Sequence, residues 1–199
     1  EILTTCAKVV RINMLIDATA PETTIEIDGI HGENTYYTTG VTISLLSEDA
    51  ISGVEYMYYS LNGSEITEYT APIIVTEQGE YIIRYYAKDR AGNYEPVNTL
   101  AFGIDLEDPA ATAITYTEPG AGVVYLSASD TGSGIAGIEY TRDDDPTVYH
   151  YLDAVVFTET GSHTVTYRAV DNAGRTNTGI VATVARRWAY ELPRPGDRS

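Results

Sequence analysis

One short pattern occurs twice and constrains everything else. The first copy is Tyr85-Tyr86-Ala87-Lys88-Asp89-Arg90-Ala91-Gly92-Asn93, the second Tyr167-Arg168-Ala169-Val170-Asp171-Asn172-Ala173-Gly174-Arg175. Each reads as a strand that ends in Tyr-x-Ala-x-Asp and enters a tight turn. Strict alternation places Tyr81, Ile83, Tyr85 and Ala87 on one face, and Ile82, Arg84, Tyr86 and Lys88 on the other. In the second copy His163, Val165, Tyr167 and Ala169 oppose Thr164, Thr166, Arg168 and Val170. The first set of each is the expected core face. The Asp is expected to accept backbone N–H bonds in the turn, and the Gly to supply a positive φ.

The repeat extends upstream. Thr42–Asp49 matches Val123–Asp130, Glu77–Tyr81 matches Glu159–His163, and Ser52-Gly53-Val54-Glu55-Tyr56 is paired here with Ala136-Gly137-Ile138-Glu139-Tyr140. The matched points lie about eighty residues apart, the size of one small β-sandwich. Threonine, valine, isoleucine and 17 tyrosines supply strand chemistry.

With Asp130-Thr131-Gly132-Ser133-Gly134, the two Glu-Tyr pairs and the two Asp-x-Ala-Gly turns in view, the chain resembles the Ig-like modules strung along bacterial and archaeal cell-surface proteins. The resemblance covers roughly residues 17 to 185. It implies an all-β chain of two tandem Ig-like β-sandwich domains plus an extra N-terminal strand. The expected divisions are an N-terminal strand at 1–16, domain 1 at 17–105, domain 2 at 106–185 and an extended arm at 186–199. Domain 1 strands are expected near 22–28, 41–48, 53–61, 66–70, 73–76, 80–88 and 97–104. Domain 2 strands are expected near 111–116, 122–129, 135–142, 147–151, 154–157, 162–170 and 177–185. Asn62-Gly63 predicts a type I′ turn and, with Ser64, spells a glycosylation sequon. Asp143-Asp144-Asp145-Pro146 replaces that turn in the second copy. Such a run attracts a cation or is a solvated loop.

Charge and motifs bound the function. A net charge of −17 repels phosphate backbones and anionic bilayers, so neither nucleic acid nor membrane insertion is expected. No run of eighteen apolar residues occurs, and the one cysteine, Cys6, has no partner for a disulfide within the chain. The chain begins at Glu1 and reads as a mature or trimmed product, placed by the resemblance outside the cell or at its surface. His31, His150 and His163 lack metal-site spacing, and His163, standing where the first copy has Tyr81, reads as structural. Glu55 and Glu139 are expected to face solvent. No nucleophile elbow, phosphate loop or dinucleotide fingerprint appears, so no enzyme is expected. Tyr36, Tyr37, Tyr56, Tyr58 and Tyr59 could stack on sugar rings or simply fill half-buried sheet surface.

The carboxylates carry a sharper expectation. In an Ig-like sandwich the strands ending at Asp49 and Asp89 run the same way, so those residues share a pole, and Asp130 and Asp171 share the matching pole of domain 2. The linker residues Asp105, Glu107 and Asp108 enter beside the second pair, and Asp17 enters beside the first. Calcium, the one cofactor expected, takes six to eight oxygens, which these sets with carbonyls could supply; otherwise each Asp caps its own turn.

The stretch Leu15-Ile16-Asp17-Ala18-Thr19-Ala20-Pro21 resembles Gly103-Ile104-Asp105-Leu106-Glu107-Asp108-Pro109, which closes the first repeat. Residues 1–16 therefore read as a closing strand whose own domain is absent. Donation of that strand to another copy, with Ile2, Val9, Ile12 and Leu15 filling pockets, would make a head-to-tail homopolymer; the rival is a fragment of a longer array. The expected role is a structural subunit of an extracellular filament, tube, surface layer or adhesin stalk. The other reading is a glycan-binding accessory module of a secreted polysaccharide-active enzyme.

Overall fold

The computed structural model describes residues 16–118, 120–177 and 179–186. The donor-strand residues Ile2, Val9, Ile12 and Leu15 and the arm beyond residue 186 lie outside them.

Among the described residues every regular element is a strand. Domain 1 contains β1 (Glu22–Asp28), β2 (Tyr36–Tyr37), β3 (Val41–Glu48), β4 (Val54–Leu61), β5 (Thr67–Glu68), β6 (Ile73–Val75), β7 (Gly79–Asp89) and β8 (Asn98–Ile104). One sheet has the order β1-β3-β6, the other β2-β8-β7-β4-β5. Domain 2 contains β9 (Ala110–Glu118), β10 (Ala121–Ser129), β11 (Ile135–Arg142), β12 (Asp145–His150), β13 (Val155–Phe157), β14 (Gly161–Asp171) and β15 (Ile180–Arg186). Its sheets run β13-β10-β9 and β12-β11-β14-β15. The strands fall within a few residues of the expected spans, and β2 is an addition.

The alternation sorts the side chains as the sequence dictates. Ile83, Tyr85 and Ala87 of β7 are buried with Val41, Ile43, Phe102 and Ile104. Val165, Tyr167 and Ala169 of β14 are buried with Val124, Leu126, Phe157 and Val184. The same parity, carried one step further, buries Asp89 and Asp171 completely. Asn62 and Gly63 have φ of 50° and 73°, the two left-handed positions of a type I′ turn. Asn62 also closes on β7, donating from Nδ2 to Glu80 O and accepting at Oδ1 from Ile82 N. Asp143, φ 45°, takes the same place in domain 2, accepting from Thr164 N at 2.7 Å.

One expected match is out of register. Met57 faces Ala87 and Tyr59 faces Tyr85, while Ile138 faces Ala169 and Tyr140 faces Tyr167. Tyr58-Tyr59, not Glu55-Tyr56, thus corresponds to Glu139-Tyr140. The two Glu-Tyr pairs are alike only in letters. The true counterparts are Ser52-Gly53-Val54 and Ser133-Gly134-Ile135, where Gly53 and Gly134 have φ of 76° and 81°. Both strands carry a β-bulge just after this point, and the extra residue breaks simple alternation. Glu55 remains outward, paired with Lys88 at 2.5 Å, and Glu139 pairs with Arg168 at 2.8 Å.

The modules differ most between their first two long strands. In domain 2, β9 turns directly into β10, whereas in domain 1 residues 29–40 form a loop carrying β2. β2 lies parallel to β8, with Tyr36 opposite Gly103, where any Cβ would overlap the Tyr36 ring. The loop then reaches domain 2. Glu33 N donates to Ala173 O at 2.8 Å, Asn34 Nδ2 donates to Asn172 O at 2.7 Å, and the Arg175 guanidinium lies 3.4 Å from Thr38 O.

Candidate metal centres at the two domain entries

The turn after each second long strand is built around an aspartate. Asp49 Oδ1 accepts from Ser52 N and Gly53 N at 2.8 and 2.7 Å. Asp130 Oδ2 accepts from Gly132 N and Gly134 N at 2.9 and 2.8 Å. The turn after each penultimate long strand repeats the device: Asp89 Oδ1 accepts from Asn93 N at 2.7 Å, and Asp171 Oδ1 from Arg175 N at 2.8 Å. These are the Asx-type turns expected of Asp before a glycine-bearing loop. The parallel course of the two strands then brings each pair of turns to one pole.

A third aspartate joins each pair from the entering chain. Asp17 Oδ2 accepts from Ser52 N at 3.1 Å, and Asp105 Oδ2 accepts from Ser133 N at 2.8 Å. Asp17, Asp49 and Asp89 offer carboxylate oxygens all within 4.8 Å of one another, and so do Asp105, Asp130 and Asp171. Six of the eight carboxylates singled out in the sequence thus form two triads. The other two are occupied elsewhere: Glu107 accepts from Thr131 Oγ1 at 2.6 Å, and Asp108 pairs with Arg175 at 2.8 Å.

The triads differ in how their charge is met. In the first, Asn93 Nδ2 donates to Asp89 Oδ2 at 2.6 Å and also reaches Thr19 O and Asp17 O at 3.0 and 3.3 Å. Burial pushes the Asp89 carboxyl up, but the Asn93 and Gly92 bonds outweigh it and the net shift is downward. Hydrogen bonds from Ser52 and Thr19 hold Asp17 at about 2. In the second triad the residue equivalent to Asn93 is Arg175, whose side chain turns outward to Asp108 and Thr38. Asp130 Oδ1 and Asp171 Oδ2 are buried without a hydrogen-bond partner among the described residues. Burial, with the charges of Asp105 and Asp130 adding to it, pushes Asp171 up. The Asn93/Arg175 difference was visible in the sequence, but its effect on the triads was not.

The other sequence candidates settle into structural work or form a surface. His163 stacks on Phe157 at 4.5 Å and contacts Glu159 O at 3.0 Å, the bond that Tyr81 OH makes to Glu77 O at 2.8 Å. Its Nδ1 lies 3.0 Å from Asp143, so both ring nitrogens face acceptors, and the His163 pKa is raised. Tyr36 donates to Glu80, which pushes its hydroxyl up to about 12, and Tyr37 packs edge-on to Phe102. Tyr59 packs on the core. Tyr56 and Tyr58, by contrast, continue through Tyr86 to Tyr94 as a row of rings with centroids 6.1, 5.2 and 6.4 Å apart. Lys88 lies over Tyr56 and Tyr94. Tyr86 and Tyr94 escaped the sequence reading because the sheet register and a turn bring them to the row.

These sheets define the class: two β-sandwich modules in tandem, each a three-stranded sheet opposed to a larger one. No protein-family model and no curated protein matches the chain. Among solved structures, fibronectin(III)-like modules of Clostridium thermocellum CbhA are similar at 16% identity, covering 86% of this chain and 98% of theirs, with a TM-score of 0.40. A two-domain fibronectin type-III segment of chicken tenascin is similar at 12% identity over 84% of this chain and 99% of its own, TM-score 0.40. The D00-D0 domain of intimin is similar at 11% identity over 82% of this chain and all of its own, TM-score 0.40.

Proposed function

We propose that the chain is a non-enzymatic structural segment of an extracellular assembly, a stalk or filament unit whose two sandwiches are held in a fixed relation. The supporting observation is the joint. Domain 1 spends its loop 29–40 on the turn at 171–175 of domain 2, and domain 2 has no equivalent loop between β9 and β10. A connection built from backbone acceptors and glycine close approaches suits a spacer that must transmit direction. In this reading residues 1–16 add as a strand to a neighbouring copy, giving head-to-tail growth. Electron microscopy of the concentrated protein tests it. Regular polymers are expected from the intact chain and none from the chain lacking residues 1–16. Identical polymers from both would refute strand donation.

A second reading is favoured by one observation, the Tyr56–Tyr58–Tyr86–Tyr94 row. Domain 2 replaces its centre with the Glu139–Arg168 ion pair, so the row is particular to domain 1. Rows of tyrosine rings suit the apolar faces of sugar rings, which would make the chain a glycan-binding accessory module. Binding of a polysaccharide that is lost in Tyr58→Ala and Tyr86→Ala would support this reading. A glycan array with no hit removes it.

A further inference from the structure

Resting on the structural reading above, we propose that the Asp105–Asp130–Asp171 triad binds one Ca2+ ion at the domain junction, and that the Asp17–Asp49–Asp89 triad binds none because Asn93 already fills its role. The two triads share the same plan, one aspartate from the entering chain and one from each of two turns. In the first, a single amide nitrogen donates to Asp89 Oδ2, Thr19 O and Asp17 O. That nitrogen sits among three oxygens from two chain segments, as a small cation would. In the second, the side chain at the same position is Arg175, drawn away to Asp108 at 2.8 Å. Among the described residues nothing replaces that donor, so Asp171 Oδ2 is left buried and bare, and Asp130 Oδ1 in the same triad is bare as well.

Asp171 and Asp105 are completely buried. Buried anionic oxygens without a donor are costly unless a positive charge meets them. Gly132 sharpens the point, since any Cβ there would overlap the Asp105 carboxylate. Glycine at 132 leaves the Asp105 carboxylate the space it occupies.

The donor set selects the ion. All three ligands are carboxylates, with no histidine, cysteine or methionine among them, which suits a hard cation. They come from a linker and two turns rather than one preformed ring. Such an irregular set suits Ca2+, with its variable coordination, better than Mg2+, which demands a regular octahedron. Because Asp105 belongs to the linker and the other two to domain 2, the ion would tie the exit of one module to the entry of the next.

The test uses the full chain, stripped with chelator, titrated calorimetrically with CaCl2 and in parallel with MgCl2. The expected result is one Ca2+ per chain, weaker Mg2+ binding, and a Tm that rises by about 5–10 °C at a hundredfold excess over Kd. Asp171→Asn should abolish both effects. Arg175→Asn copies the amide of domain 1 into domain 2; it should fold with an unchanged circular dichroism spectrum and bind no Ca2+. Asp89→Asn should leave the stoichiometry at one. No binding, two ions per chain, or binding that persists in both Asp171→Asn and Arg175→Asn overturns the proposal. A chain that binds no Ca2+ yet still forms polymers refutes this inference alone. A chain that binds one Ca2+ but forms no assembly refutes the structural reading alone.

Discussion

Gly32→Ala should loosen the joint while leaving both sandwiches intact. Gly32 has an ordinary negative-side backbone, not one of the left-handed glycine positions, so alanine introduces no local strain. Its new Cβ, however, would overlap Ala173 O and stand 3.0 Å from Thr38 Cγ2. Ala173 O belongs to a turn fixed by Asp171, so the loop must retreat. Retreat breaks Glu33 N to Ala173 O and Asn34 Nδ2 to Asn172 O, at 2.8 and 2.7 Å, and weakens the Arg175 contact to Thr38 O. At about 0.5 kcal/mol for each net hydrogen bond, the low end that suits exposed pairs, the joint loses roughly 1–1.5 kcal/mol. That is about a 5- to 10-fold fall in the ratio of seated to unseated joints. Spin labels at Glu68→Cys and Thr147→Cys, in a Cys6→Ser background, report the inter-module distance by pulsed electron resonance. The distribution should be narrow in the parent and broad in Gly32→Ala. Gly137→Ala, where a Cβ meets nothing within 4 Å, should stay narrow. A Gly32→Ala distribution as narrow as the parent's would refute the idea that loop 29–40 sets the geometry.

Stability should also depend on pH through His163. Its folded pKa is raised, chiefly by the Asp143 hydrogen bond, so its contribution is fully present below the unfolded value near 6.5 and is lost as pH rises through the folded one. Urea midpoints measured across that range should fall with rising pH in the parent, and more gently in His163→Tyr, which keeps only the Glu159 O bond; equal slopes would refute this. Asn62→Ala must hold φ near 50° without the side-chain bonds to β7 and should cost about 1–2 kcal/mol by thermal melting. Asn62→Gly keeps the backbone freedom and should cost less.

Much of the fold could be read from alternation alone. The parity that buries Ile83, Tyr85 and Ala87 is written in the letters, and so is its repetition at Val165, Tyr167 and Ala169. Even the burial of Asp89 and Asp171 follows from carrying that parity two residues further. The triads were legible because strand direction in a sandwich fixes which turns share a pole. Other features depended on facts no local pattern carries. The β-bulges hid the true pairing of Ser52-Gly53-Val54 with Ser133-Gly134-Ile135. The role of loop 29–40 depends on a turn some 140 residues away. Glu107 and Asp108 looked equivalent to Asp105 until Thr131 and Arg175 claimed them.

The path of the chain through domain 1 has a mechanical consequence. The chain enters at the pole of the first triad along β1, and β8 runs from that pole to the opposite one, where Asp105 hands over to domain 2. Both terminal strands therefore lie along the line joining the module's ends. β1 is laddered to β3 from Glu22↔Glu48 to Asp28↔Thr42, and β8 to β7 from Tyr85↔Asn98 to Gly79↔Ile104. Inter-strand bonds stand perpendicular to the strands. Tension between the ends thus loads each ladder in shear, with its bonds sharing the force, instead of peeling them one at a time. The module should hold until a whole ladder yields at once.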